Sequence, residues 1–192
     1  MLTRIAAVLV RQSMAKAAPA HLDPQTFLEA MAEDTYELVA GLELVTPVLV
    51  TSVPGLEEIV WPGTDVILVD EGEPLRDIFG RLPGDQAVVV SGDAPDLPPL
   101  LIGKLFRELG RARLTVCPSE YGGAVAIAAD LPLDGWARPD LDDEDPVAAL
   151  RAQAPGPRMV AVGPGWHRLR TPDDVARLDP GLEGWDNLRA AL

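Results

Sequence analysis

Cysteine is nearly missing from this 192-residue chain: the single one, Cys117, excludes an internal disulfide. No histidine lies near it in sequence, and it follows a β-branched run, so a core or strand-end thiol is expected there rather than a nucleophile. Positive charge is also scarce, with 16 Lys and Arg against 30 Asp and Glu and a formal net charge of −14. That balance excludes a nucleic-acid backbone as partner, because such binding needs clustered cations to neutralise phosphates. No apolar run approaches the roughly 20 residues of a membrane span. The N-terminal Thr3-Arg4-Ile5-Ala6-Ala7-Val8-Leu9-Val10 reads as a buried first strand rather than an export leader, so a cytoplasmic protein is expected.

What is present suits a single domain over residues 1–192: 47% of the residues are apolar, enough to bury a full-sized core without disulfides or metals. Short β-branched runs alternate with helix-period segments, the pattern of strands joined by crossover helices. Strands are expected at Arg4–Val10, Val45–Thr51, Asp65–Val69, Ala87–Val90, Arg113–Cys117, Ala124–Ala128 and Met159–Val162. Asp23-Pro24 starts a helix carrying Phe27, Met31, Leu38 and Leu42, with Gly41 as its stop. A second helix is expected from about Leu97 to Gly110, and a third from Thr171-Pro172. The stretch from Asp130 to Pro146 holds seven acidic residues and three prolines, and reads as an acidic surface excursion at 130–146.

The strongest chemical signal is Val88-Val89-Val90-Ser91-Gly92-Asp93-Ala94-Pro95-Asp96-Leu97-Pro98-Pro99. A buried strand ends in a glycine turn that presents Asp93 at the carboxyl end of the sheet, where open α/β folds bind ligands. Asp93 is therefore the candidate ligand for a divalent ion that would neutralise a nucleotide diphosphate, and Asp96 is assigned as cap of the helix that follows. Cations are few before residue 76, and Arg11 and Lys16 are those available to a phosphate in the first loop. The competing expectation is that both are solvated loop charges.

Gly92-Asp93-Ala94-Pro95-Asp96-Leu97-Pro98 resembles the "GDSPDLP" signature of bacterial glycosyltransferase-A-like proteins, relatives of the molybdenum-cofactor and phospholactate guanylyltransferases. Phe27-Leu28 through Asp34-Thr35 is similar to the "FLxDT" helix of that family, Pro118-Ser119-Glu120-Tyr121-Gly122-Gly123 to its "PAEDGG" turn, and Thr171-Pro172-Asp173-Asp174-Val175 to its "DTPEDL" helix. The resemblance implies a three-layer α/β/α domain with a mostly parallel mixed sheet of the nucleotide-diphospho-sugar transferase (GT-A) type. It further implies a nucleotidyl- or glycosyl-transferase that takes a nucleoside phosphate or nucleotide sugar, with Mg or Mn at its site.

Departures from the family pattern fall on the site. The family's "KxPxPGxxKTRL" loop reads here Val10-Arg11-Gln12-Ser13-Met14-Ala15-Lys16-Ala17-Ala18-Pro19, without a glycine, and Tyr121 replaces the aspartate of "DGG". The "DID" that supplies a second metal carboxylate is Arg168-Leu169-Arg170, which leaves Mg or Mn weakly supported. Two readings stay open: Arg168 and Arg170 replace the metal as partners of a diphosphate, or an Asp93-to-Arg ion pair closes a degenerate pocket. A non-catalytic binding or dimeric interaction module, using Trp136 or Trp185 at a homodimer contact, is the alternative to an enzyme.

Overall fold

The computed structural model describes residues 1–192. Seven strands form one sheet in the order β3-β2-β1-β4-β6-β5-β7. They are β1 Arg4–Val10, β2 Thr46–Thr51, β3 Asp65–Leu68, β4 Gln86–Ser91, β5 Leu114–Pro118, β6 Ala124–Asp130 and β7 Val160–Val162. Pairing is parallel throughout except at β6, which runs antiparallel to both β4 and β5. The exception follows from the short Ser119–Gly123 turn, which is long enough to reverse the chain but not to carry it over a crossover helix.

Both faces are buried, and period-two alternation sorts the side chains. Ala6, Val8, Val10, Val88 and Val90 face one core with Phe27, Leu28, Met31, Leu105 and Phe106, whereas Ile5, Ala7, Leu9, Ala87 and Val89 face the other with Ile78, Phe79 and Leu150. The first core is covered by α1 Pro24–Ala40, α3 Pro99–Glu108 and the C-terminal α6 Asp186–Ala191; the second by α2 Leu75–Arg81 and α4 Pro146–Gln153. The result is three layers, α/β/α.

The caps read from sequence are in place. Asp23 accepts from the Thr26 amide at α1, and Thr171 and Asp174 form a reciprocal capping box at α5 Pro172–Ala176. Cys117 is buried in the core, and burial pushes its thiol up to about 12. Trp185 is only 5% exposed, beneath the Arg189 guanidinium, and Trp136 is half-buried. The tail folds back onto α1: Asp34 accepts hydrogen bonds from the Asn187 and Leu188 amides and draws α6 against the core.

Candidate functional site

The carboxyl ends of β1, β4 and β7 and the turn between β5 and β6 converge on one side of the sheet. Gly92 makes the convergence tight: its amide donates to the Leu9 carbonyl at 2.8 Å, and a Cβ there would lie 2.7 Å from Val10 Cγ2 and 2.9 Å from the Leu9 oxygen. Thr35, fully buried on α1, donates to the Gly92 carbonyl at 2.9 Å, so the Thr of the "FLxDT"-like segment braces the acidic turn.

Asp93 sits in that turn at 2% exposure. Its carboxylate accepts from the Ser91 hydroxyl at 2.6 Å and from Arg168 Nε at 2.9 and 3.2 Å. Arg168 is equally enclosed, with 5% of its side chain exposed, and its Nη1 donates to the Leu141 carbonyl at 3.1 Å and to Asp142 Oδ1 at 2.8 Å. Burial alone would lower the guanidinium pKa, but the Asp93 and Asp142 carboxylates outweigh it and raise it further above its ordinary value. One guanidinium thus bridges two carboxylates. Arg170 Nη2 reaches the same Asp142 oxygen at 3.3 Å. Burial pushes the Asp142 carboxyl up, yet Arg168, Arg170 and Arg11 hold it below the usual range.

Asp96 does not cap α3. The helix begins two residues later than expected, at Pro99, and Asp96 instead accepts from Trp166 Nε1 at 3.1 Å and pairs with His167 Nε2 at 2.7 Å. With the Leu169 amide donating to the Asp93 carbonyl at 2.8 Å, the segment 166–170 is fastened along the whole acidic turn. The hydrogen bond to Asp96 raises the His167 pKa, against an opposing effect of burial.

The first loop forms a 3₁₀ turn over Gln12–Ala17. Although it lacks glycine, its Gln12 and Ser13 amides point together at an anion, the Glu71 carboxylate, each at 2.9 Å. The Ser52 hydroxyl also donates to Glu71. Arg11 Nη2 donates to the Glu73 carbonyl at 2.8 Å while its Nε is buried without a partner; Lys16 is exposed, with no ion pair. Of the residues singled out from sequence, Arg11, Arg168 and Arg170 gather around Asp142, and Asp93 lies under Arg168. Lys16 is not joined to them by any hydrogen bond. Glu71 and Asp142 escaped the sequence reading because each is one acid in an acidic run, and only the fold shows which member turns toward the cations.

Glu71 supplies a test of this packing. Burial raises its pKa, but hydrogen bonds from Ser52, Ser13 and Gln12 prevail and hold it down to about 2. A depressed carboxylate contributes stability above its unfolded value of about 4.3 that is lost as pH falls toward the folded value. The stability of Glu71→Gln, measured by urea unfolding between pH 5 and 2.5, should therefore fall less steeply with acid than that of the wild type. Parallel slopes would show that the carboxylate is not held.

Open space lies beside Arg168. A cleft of about 530 Å³ is lined by Glu120, Tyr121, His167, Arg170, Thr171 and Arg177 among others, a volume typical of small-ligand sites though more polar than most. Arg177 lies 5.6 Å over the Tyr121 ring, and that side chain is 86% exposed. On the other side of Arg168, between Arg11, Met14 and Asp142, only about 20 Å³ remains.

The donor set does not fit a divalent ion. No group of three or more His, Cys, Asp or Glu is arranged to hold a metal, and Asp93 is already engaged by a guanidinium.

The chain has the α/β fold of solved nucleotide-diphospho-sugar transferase (GT-A) type structures. Among solved structures it is similar to a protein of Desulfovibrio desulfuricans G20 described as a nucleotide-diphospho-sugar transferase, with TM-score 0.66 and 16% identity over 89% of this chain and 84% of that one. It is also similar to CMP:2-keto-3-deoxy-manno-octonic acid synthetase complexed with CTP, with TM-score 0.60 and 12% identity over 91% and 96%. A third is a Mycobacterium tuberculosis H37Rv protein solved in complex with manganese, with TM-score 0.57 and 19% identity over 100% and 98%. At such identities the likeness concerns the fold. No protein-family model matches the chain, and no curated protein matches it in sequence. No helix is long and apolar enough to cross a membrane.

Proposed function

We propose that the chain binds a nucleoside phosphate or nucleotide sugar at the carboxyl ends of β1, β4 and β7 without a divalent ion, as a relative that has lost metal-dependent transfer. The observation that carries this reading is Arg168, wedged between Asp93 and Asp142 where a cation bridging two carboxylates would otherwise sit. A fixed guanidinium supplies positive charge and directed N–H donors, but it cannot exchange ligands as a metal does. The phosphates would meet Arg170 and Arg177, whose side chains are 36% and 58% exposed in the open cleft, with Arg11 and Lys16 adding charge from the first loop. His167, carrying more positive charge than an ordinary histidine near neutral pH, would strengthen that preference for anions.

The test is thermal unfolding against a panel of nucleoside phosphates and nucleotide sugars, with magnesium, with manganese and with chelator. A ligand at ten times its dissociation constant adds about 1.4 kcal/mol of stability. The expected shift is the same in all three conditions and disappears in Arg170→Ala/Arg177→Ala. A shift that requires metal would instead support a working transferase in which Arg168 gives way. If no ligand stabilises the protein, the reading is wrong and a protein-interaction role replaces it.

A further inference from the structure

Asp142 comes from the acidic 130–146 stretch, yet its carboxylate accepts from both Arg168 Nη1 and Arg170 Nη2, and Arg11 is a third cation close enough to hold its pKa down. Three guanidiniums stand here against two carboxylates, Asp93 and Asp142, which leaves one positive charge of the cluster without an acidic partner. The backbone beneath is anchored: the Leu141 carbonyl accepts from the Ala124 amide at 2.8 Å and from Arg168, and Leu141 is buried. The Asp142 side chain itself is 51% exposed. It can therefore rotate into solvent while the backbone stays in place, which would free one N–H of Arg168 Nη1, the other staying on the Leu141 carbonyl, together with Nη2 of Arg170.

We infer that Arg168 and Arg170, with Arg11 behind them, form a phosphate site whose occupant in the free protein is the chain's own Asp142, and that a ligand phosphate enters by displacing this side chain. The inference rests on the proposed function and places one phosphate where the Asp142 side chain now lies, next to the open cleft, with Arg168 and Arg170 common to both. Two guanidiniums that converge on a single carboxylate oxygen have more N–H donors than it can accept, and the several oxygens of a phosphate suit them better. A phosphate also brings more negative charge than the group it replaces. The neighbouring Asp143 offers an internal comparison. Burial together with Asp140 and Asp142 raises its pKa, and no arginine pairs with it.

The experiment is isothermal titration of inorganic pyrophosphate into the wild type, Asp142→Asn, Asp142→Glu and Asp143→Asn. If the carboxylate occupies the site about nine-tenths of the time, removing it should tighten binding about tenfold, since apparent affinity scales with the competent fraction. Asp142→Glu, which can still reach both arginines, should stay near the wild type. Asp143→Asn removes the same charge from the same stretch and should leave affinity within about twofold. Adding Arg170→Ala to Asp142→Asn should remove the gain. Equal affinities for Asp142→Asn and Asp143→Asn would overturn displacement and leave the nucleotide reading standing. Binding by Asp142→Asn alone would uphold displacement while sinking that reading for the wild type. No binding by any variant would overturn both.

Discussion

Arg168→Ala should lower the unfolding free energy by about 3–5 kcal/mol, because it strands Asp93 as a buried carboxylate with only the Ser91 hydroxyl to answer it. Asp142 adds little to that cost, since its half-exposed side chain can hydrate. Urea unfolding at pH 7 measures the loss, and a double-mutant cycle with Asp93→Asn apportions it. Removing the charge of Asp93 in the Arg168→Ala background should recover part of the stability, whereas two isolated side chains would give additive losses. A cost below about 1 kcal/mol would mean that water reaches Asp93 and that the pair is not a closed ion bridge.

Gly123→Ala should cost about 2–5 kcal/mol from two sources. Its φ of +82° is a left-handed conformation that costs an L-residue about 1–2 kcal/mol. A Cβ would also stand 2.8 Å from the Leu141 carbonyl oxygen and 3.2 Å from Arg170 Nη1, an overpacking strain of about 1–3 kcal/mol. Gly135→Ala, where no atom lies within 4 Å of an added Cβ and φ is not positive, is the matched control. Equal melting temperatures for the two variants would refute the account. A correct one predicts in addition that Gly123→Ala weakens the proposed nucleotide binding, because the methyl group presses on the Leu141 carbonyl and on both guanidiniums.

The backbone explains why two glycines follow Tyr121 in the turn before β6. The glycine positions answer to backbone: φ is positive at Tyr121, Gly122 and Gly123 in succession, and Gly123 lies against Arg168 and Arg170. Tyr121 faces solvent and the cleft.

All seven expected strands are present, with ends shifted by at most one residue except at β6, which runs two residues further, to Asp130, because β-branched runs bounded by turn residues carry their own boundaries. Missed were α2, α4 and α6, each of eight residues or fewer, too short for a helical period to stand out. Asp96 was misassigned because an acid before proline at a strand-to-helix turn looks like a cap. Its real partners, Trp166 and His167, are brought to it only when β7 docks beside β5.

The amino-acid sequence by itself determined the α/β layering, the strands, the helix starts at Asp23 and Thr171 and the placing of Asp93 at a strand end, because each depends on periodicity or on turn chemistry within a few residues. The tertiary structure alone decided what Asp93 does. Arg168 stands 75 positions away in the chain and Asp142 meets it from a third segment, and which acid meets which guanidinium is set by strand register and crossing geometry. The same sheet order that makes the pocket therefore also places a guanidinium at its acidic turn.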